Sequence, residues 1–286
     1  MKLNTKQLIT LSEVAKQAAK QAGKIIQTAC VEELNVETKG AATSLASSVF
    51  TKVDLQCQEI IHNALKPSIQ TFDLGWLGEE TPDDGSRFIK DYFWCVDPLD
   101  GTLSFIKQRA GFCVSIALIN QNGIPEIGVV FNPQTSDLYV AVKGQGAFKN
   151  EKLIEIKYQK HTTLINDESF IETADYQILK DELEFKSTEC VQQILQGGAV
   201  MNAMWCLEFA PACYVKYPKE KDGGGSIWDY AASVCIYNEL GLNATDFYGN
   251  KINLNPKGTV YMNEFGVCIN TFVIEGVSGA DLLIHR

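Results

Sequence analysis

The chain has 286 residues, of which 45% are hydrophobic, so it is long enough to fold as one large domain or two smaller ones. Its formal net charge of −10 argues against a direct nucleic-acid partner, because such proteins gain affinity by pairing Lys and Arg with phosphates. No run of 18 apolar residues and no apolar secretion signal occurs, so we expect no membrane partner and a cytoplasmic location.

The cysteines and histidines exclude two further classes of protein. There are nine cysteines, an odd number, and no two of them form a C-x-x-C pair. Most stand in apolar runs and are expected to be buried, reduced thiols. With only three histidines in the chain, a zinc site is not predicted.

The first third of the chain predicts two helices separated by a loop. Apolar residues at helical spacing over 6–30 predict an amphipathic helix. Residues 31–52 contain many small residues and Lys39-Gly40, which predicts a loop. A second helix is predicted from Leu55, and Pro67 is expected to end it. Asp54 stands at the start of this helix, where an N-cap is the common role of an aspartate.

Two acids directly follow a segment that predicts a buried strand. Residues 92–96 are apolar and aromatic, and Asp97-Pro98-Leu99-Asp100-Gly101-Thr102 comes next. Ligands of open α/β sheets bind at the ends of strands, and paired carboxylates suit a hard cation such as Mg²⁺. The N–H groups of Gly101 and Thr102 are then placed to hold a phosphate oxygen. The alternative is a plain tight loop, since Asp-Pro and Asp-Gly are turn dipeptides.

Glu79 and Asp229 are two further candidate ligands. Gly78-Glu79-Glu80 precedes a polar turn, so Glu79 is either a solvated loop residue or a metal ligand. Apolar spacing over 227–236 predicts a helix that Gly241 ends. Asp229 lies in its first turn, where it either complements the helix dipole or closes the metal site from a second domain.

The remaining segments predict mixed α and β structure in two domains, 1–152 and 153–286. Strands at 112–119, 126–131 and 137–142 predict an antiparallel meander, with a hairpin at 143–146. Residues 151–196 are expected to supply strands and a helix, and 197–209 a further helix. Gly197 and Gly198 at its start either let a substrate approach the backbone or allow another part of the chain to pack closely there. Residues 216–225 are predicted to form a polar, flexible insert.

Three of these segments together resemble the inositol monophosphatase superfamily of Mg²⁺-dependent, lithium-sensitive phosphomonoesterases. They are Gly78-Glu79-Glu80, Asp97-Pro98-Leu99-Asp100-Gly101-Thr102 and Trp228-Asp229-Tyr230-Ala231-Ala232, in that order. The resemblance covers roughly residues 5–150 and 195–245. It implies an α/β (α+β) fold, the layered αβαβα sandwich of the inositol monophosphatase and fructose-1,6-bisphosphatase type. It also implies a metal-dependent phosphatase for a small phosphorylated metabolite, and a homodimer is a further expectation.

The resemblance implies two or three Mg²⁺ ions. Glu79, Asp97 and the Leu99 carbonyl would hold the first ion, and a third, weaker ion would lie beside Glu79. Asp97 would bridge to the second ion, which Asp100 and Asp229 would complete.

The remaining roles that the resemblance implies concern the attacking water and the substrate. Asp54, Thr102 and Glu79 would be catalytic, with Asp54 accepting a hydrogen bond from Thr102 and the Thr102 hydroxyl accepting one from the water. Gly101 and Thr102 would hold the phosphate, and Gly198, Ala199 and Asp229 would contact the substrate. Residues 31–52 resemble the mobile loop that the superfamily carries beside its metals.

The substrate is predicted less directly than the chemistry. Residues 97–106 look most like the bacterial 3'(2'),5'-bisphosphate nucleotidase branch, which implies hydrolysis of adenosine 3',5'-bisphosphate to AMP and phosphate. A second phosphate on the substrate needs basic partners, for which Lys216, Lys219 and Lys221 are the candidates.

Two other interpretations stay open. Leu103-Ser104 stands where the nucleotidases commonly carry Lys-Glu, and Asp222 is the nearest candidate for the acid that contacts sugar hydroxyls in the inositol-phosphate enzymes. An inositol-1-monophosphatase or a sugar-phosphate phosphatase is therefore the alternative. A non-catalytic interaction protein of the same fold is a remote one, because this chain keeps all the acids named above.

Overall fold

The computed structural model of the protein describes residues 2–37, 43–186, 190–223 and 225–272. Its helices are α1 (Thr5–Glu37), α2 (Thr43–Phe72), α3 (Thr102–Ile106), α4 (Ala174–Lys186), α5 (Ala199–Glu208) and α6 (Ile227–Leu240). Its strands are β1 (Gly75–Gly78), β2 (Tyr92–Asp100), β3 (Cys113–Asn120), β4 (Pro125–Asn132), β5 (Asp137–Val142), β6 (Gly146–Lys149), β7 (Lys152–Leu153), β8 (Thr163–Asn166), β9 (Gln192–Leu195), β10 (Ala212–Lys216), β11 (Asn243–Thr245) and β12 (Val267–Asn270).

The strands form two sheets. The first has the order β1-β2-β3-β4-β5-β6-β7, in which β1 and β2 are parallel and the other neighbours antiparallel. The predicted meander and the hairpin at 143–146 are thereby confirmed. The second sheet has the order β11-β12-β10-β8-β9, in which β8 runs parallel to both β9 and β10.

The two sheets and the helices stack in five layers. One apolar cluster joins α1 and α2 to one face of the first sheet, and a second joins its other face to α5, α6 and the second sheet. A third cluster packs α4 against the outer face of the second sheet. This is the predicted αβαβα sandwich. Because β2 is covered on both faces, all nine of its residues are buried, which explains its continuous apolar sequence.

The first two helices differ from the sequence prediction in three respects. Helix α1 continues to Glu37 and α2 begins at Thr43, so most of the loop predicted over 31–52 is helical, and Lys39-Gly40 lies outside the described residues. Small residues do not stop a helix, because alanine has a high helix propensity. Asp54 therefore lies inside α2 and is not an N-cap. Pro67 does not end α2, which continues to Phe72, since one proline removes a single N–H donor.

The described cysteines match the prediction of reduced, mostly buried thiols. Those with described side chains are all free, and every one except Cys190 is buried. Among the described residues no helix is both long and apolar enough to cross a membrane.

Candidate active site

Asp97 and Asp100 lie on the last part of β2, where its pairing with β3 is irregular. Asp97 pairs with Ser115 and Asp100 with Cys113, and the register shifts between the two pairs. Pro98 has no N–H to offer the ladder, and the N–H of Leu99 turns to Asp97 Oδ1 at 3.0 Å. This irregularity lets two residues three positions apart aim their carboxylates at one place. Both side chains are almost completely buried, with Asp97 1% and Asp100 5% exposed.

Asp229 reaches the same place from the first turn of α6. Its Oδ2 accepts a hydrogen bond from the N–H of Ser226 at 2.5 Å, as part of a capping box. The hydroxyl of Ser115, the β3 partner of Asp97, donates to the Trp228 carbonyl at 3.3 Å and so attaches the start of α6 to the first sheet. One carboxylate oxygen each of Asp97, Asp100 and Asp229 lies within 4.8 Å of the others.

Glu79 approaches from the strand beside β2. It directly follows β1, and its N–H donates to the Val96 carbonyl at 3.1 Å, which continues the parallel pairing of β1 and β2. Its carboxyl group is in hydrogen-bonding contact with that of Asp97, although the residue as a whole is exposed to solvent. Asp97 is also in hydrogen-bonding contact with Asp229. Asp97 is thus the central acid, with a carboxyl group on either side.

The acids of this cluster all have raised pKa values. Burial raises the pKa of Asp97 well above its usual range, and the charges of Glu79, Asp100 and Asp229 raise it further. Burial, with the charge of Asp229, likewise raises the pKa of Asp100 well above normal. Burial raises the pKa of Asp229, although the hydrogen bond that it accepts from the Ser226 N–H acts to lower it. Burial is the main cause that raises the pKa of Glu79 to about 7.

These carboxyl groups fit divalent cations of the Mg²⁺ type. Carboxylates in contact with one another repel unless protons or cations lie between them. All donors are hard oxygens, which is the ligand type that Mg²⁺ selects. Asp97 lies at the centre, with Glu79 on one side and Asp229 on the other, and would hold a cation together with either of them.

Asp100 also binds the start of α5. Its Oδ1 accepts from the Ala199 N–H at 3.1 Å and its Oδ2 from the Val200 N–H at 3.0 Å, where the helix dipole favours negative charge. The Gly198 N–H donates to the Gly111 carbonyl at 2.8 Å. A Cβ on Gly198 would lie 2.4 Å from Asp100 Oδ2, so close packing explains this glycine. The N–H groups of Gly198 and Ala199, predicted to contact substrate, donate within the protein here.

Gly101 and Thr102 form the turn from β2 into α3. Gly101 has φ +83°, which favours glycine, and an added Cβ would lie 2.4 Å from the Gly111 carbonyl. The Thr102 hydroxyl donates to the Leu99 carbonyl at 3.2 Å. It therefore does not make the predicted hydrogen bond to Asp54. The same bond holds the Leu99 carbonyl, a predicted metal ligand, which keeps a second lone pair for a cation.

Asp54 is on α2, beside the turn that carries Glu79. It is buried, and burial followed by the charges of Glu80 and Glu79 raises its pKa to about 7. One turn later on the helix, Gln58 Oε1 accepts from the Glu80 N–H at 2.9 Å, which attaches the turn to α2. The structure thus brings Asp54 to the Glu79 side of the cluster.

The lysines predicted to form one flexible insert separate in the structure. Lys216 is the last residue of β10, with its side chain 18% exposed, and its ammonium is in direct contact with the Asp167 carboxylate. Burial and Lys219 lower its pKa to about 8, while the nearby charges of Asp229 and Asp100 act to raise it. Lys219 and Lys221 are exposed.

Asp167 is a residue at the site that sequence reasoning missed. It follows β8 directly, in a segment without motif-like spacing, so only the pairing of β8 with β10 reveals its position. Asp222, the predicted sugar contact, instead lines a cavity of about 440 Å³ formed mainly by residues 246–265. None of the metal-site acids is among the residues that line this cavity.

Comparisons with known proteins agree with this geometry. A sequence model of the inositol monophosphatase family matches residues 7–277. The chain is 30% identical over 237 residues to an inositol monophosphatase of Mesembryanthemum crystallinum, covering 78% of this chain and 80% of that protein. It is 31% identical over 229 residues to a 3'(2'),5'-bisphosphate nucleotidase of Salmonella typhimurium, covering 78% and 86%. An inositol monophosphatase structure from Anabaena superposes with a TM-score of 0.70 at 22% identity, covering 96% and 94% of the two chains.

Proposed function

This chain belongs to the inositol monophosphatase family and is a Mg²⁺-dependent phosphatase, and we propose that its substrate is a small bisphosphorylated nucleotide of the adenosine 3',5'-bisphosphate type. The family match and the buried acid cluster support the reaction class. The observation that carries the proposed substrate is Lys216, a partly buried cation close to Asp100 and Asp229.

The proposed metal ligands are the four acids of the cluster and one backbone carbonyl: Glu79, Asp97, the Leu99 carbonyl, Asp100 and Asp229. When bound there, Mg²⁺ neutralises charge on the phosphoryl group and lowers the pKa of water. Asp97 contributes the central charge, since it contacts both Glu79 and Asp229. Ser226 and the start of α5 orient Asp229 and Asp100 for this role.

The remaining catalytic roles fall to the turn after β2 and to Asp54. Within the described residues, the N–H groups of Gly101 and Thr102 donate to no backbone carbonyl, which supports their role in holding the phosphate. Asp54 is a candidate proton acceptor for the attacking water, because a pKa of about 7 suits a general base at neutral pH. Thr102 acts in this proposal by positioning the Leu99 carbonyl.

Substrate choice depends on whether the protein binds a second phosphate of the substrate, the one that is not hydrolysed. A buried lysine beside the catalytic acids is a charge-assisted donor for a phosphate away from the reacting one. The alternative substrate, inositol 1-phosphate or a sugar phosphate, is favoured by a different observation. Asp167 is in contact with Lys216, and its carboxylate accepts hydrogen bonds from substrate hydroxyls but repels a second phosphate. A homodimer and a cytoplasmic location remain predictions from the sequence.

The test is phosphate release in Mg²⁺ from adenosine 3',5'-bisphosphate and from inositol 1-phosphate, each compared by kcat/KM. A clear preference for the nucleotide is the expected result. Preference for inositol 1-phosphate would contradict the proposed substrate and leave the reaction class intact. Asp54→Asn is expected to lower kcat for either substrate, because it removes the proton acceptor without changing the shape of the side chain.

A further inference from the structure

The ends of two parallel strands of the second sheet bring Asp167 and Lys216 together. Thr163 pairs with Ala212 and Ile165 with Tyr214, and the same register continued by two residues sets Asp167 beside Lys216. Side chains two residues apart on a strand share a face. Asp167 and Lys216 therefore follow Ile165 and Tyr214, which pack in the layer between the two sheets. Carboxyl ends of parallel strands are where α/β proteins bind ligands.

Lys216 is in direct contact with Asp167 and also lies within the electrostatic influence of two acids of the metal cluster. The charges of Asp229 and Asp100 act to raise the pKa of Lys216, against the lowering by burial and by Lys219. The ammonium also contacts Asp167 directly, and Asp167 is 25% exposed. Occupation of the acid cluster by Mg²⁺ would cancel the attraction of the acids for Lys216, so that Asp167 then becomes the main partner of the ammonium.

Asp167 is itself firmly positioned. The Asn202 side-chain amide on α5 donates to Asp167 Oδ1 at 3.2 Å and to the Gly197 carbonyl at 3.1 Å. Asn202 is completely buried. The next residue, Glu168, pairs with Lys107 Nζ at 2.5 Å, directly after α3. These contacts fix Asp167 relative to the start of α5 and to the turn that carries Gly101 and Thr102.

We propose that Asp167 is a specificity-determining residue that restrains Lys216 and so limits how strongly the enzyme prefers doubly phosphorylated substrates. This inference rests on the proposed function, because it assigns Lys216 to the non-reacting part of the substrate. A second phosphate must compete with Asp167 for the ammonium and lies close to a like charge. A substrate with hydroxyl groups at that position meets no such repulsion and gains an acceptor in Asp167.

Asp167→Asn and Lys216→Gln test the inference because they change one charge each in opposite directions. Asn at position 167 keeps the shape and an oxygen for the Asn202 bond, while it releases Lys216. The ratio of kcat/KM for adenosine 3',5'-bisphosphate to that for inositol 1-phosphate is expected to rise roughly tenfold in Asp167→Asn. In Lys216→Gln the ratio is expected to fall by a similar factor, mostly through KM of the bisphosphate.

A control is Asp137→Asn, which removes one of the two carboxylate partners of Lys149 (3.1 Å) on the first sheet, the other being Glu208. It is expected to leave the ratio unchanged. Asp167→Ser serves as a second variant if Asp167→Asn folds poorly, and thermal unfolding checks each protein. Inhibition by inorganic phosphate provides a second readout and is expected to strengthen in Asp167→Asn.

The two proposals fail in different ways. Wild-type preference for inositol 1-phosphate contradicts the proposed substrate, but opposite shifts of the ratio in the two variants would still support the role of Asp167. An unchanged ratio in Asp167→Asn, or a shift in the same direction as in Lys216→Gln, would overturn the inference even if the wild-type enzyme prefers the bisphosphate.

Discussion

The carboxyl groups of Glu79, which directly follows β1, and Asp97, which lies on β2, are in hydrogen-bonding contact although both groups are acids. Parallel pairing of β1 with β2 produces this contact, because Leu77 pairs with Cys95 and Gly78 with Val96, and both acids follow these pairs. Two carboxylates in contact repel each other unless a proton or a cation lies between them. The predictions below follow from this contact and from the packing around it.

Asp97→Asn is expected to lower the rate of Mg²⁺-dependent phosphate release by about 100-fold or more, because it removes the central charge of the cluster. The fold should persist, since Asn fills the same volume and removes a source of repulsion. Phosphate release and thermal unfolding in EDTA measure the two effects. Near-normal activity in this variant would contradict the metal assignment. Asp73→Asn, which removes an exposed carboxylate paired with Lys90, is the control.

The metal-free protein is expected to lose stability as the pH rises from about 4 to above 7. Glu79 and Asp54 both have pKa values raised to about 7, from 4.5 and 3.8. The folded state therefore binds more protons than the unfolded state in this window, and deprotonation opposes folding. Unfolding temperatures in EDTA at pH 5.5 and pH 8 measure the effect.

Mg²⁺ should reverse this pH dependence. The ion binds the deprotonated cluster of the folded state, so its stabilising effect is expected to be larger at pH 8 than at pH 5.5. The same unfolding experiment with Mg²⁺ in place of EDTA tests this. Equal shifts at both pH values, or none in either, would contradict the cation site.

Gly198→Ala is expected to lower kcat/KM by about 100-fold, because a Cβ there would lie 2.4 Å from Asp100 Oδ2 and 2.6 Å from the Gly101 Cα. The backbone of Gly198 has φ −65°, which alanine also adopts, so the effect is one of crowding. Steady-state kinetics measure it. Gly144→Ala is the comparison: its φ of +73° strains an alanine and lowers stability, but no atom lies within 4 Å of the added Cβ, so its activity should be unchanged. Retained activity in Gly198→Ala would contradict this prediction and show that Asp100 and Gly101 can shift without loss of catalysis.

Arg87→Met is expected to lower the free energy of unfolding by about 3 kcal/mol. Arg87 is only 1% exposed, pairs with Asp83 at 2.7 Å, and donates to Asn255 Oδ1 and to the carbonyls of Pro256 and Thr259. The substitution leaves these acceptors without their donor. Urea unfolding measures the loss. Lys90→Gln, which breaks the exposed pair of Lys90 with Asp73, should change the free energy of unfolding little. A loss as large as that of Arg87→Met would show that burial of the Arg87 hydrogen bonds does not add to stability.

Much of the site could be predicted from short segments of sequence. The apolar run over 92–96 and the acids that follow it predict a buried strand with ligands at its end, and β2 agrees. The helix that carries Asp229 and ends at Gly241 was also predicted, because its capping and its apolar spacing are local. The same local reasoning was wrong for residues 31–52, for Asp54 as an N-cap and for Pro67 as a helix end, since weak preferences do not decide a helix boundary.

The sequence alone determined the reaction class, because three acidic motifs in order carry the family chemistry and the motifs are local. Only the tertiary structure decided which groups meet. The Thr102 hydroxyl bonds to Leu99 and not to Asp54, and Gly198 is small because the Asp100 turn packs against it. Asp167 joins Lys216 across 49 residues through the register of β8 and β10. Such contacts depend on strand pairing between distant segments, which no local pattern of residue types contains.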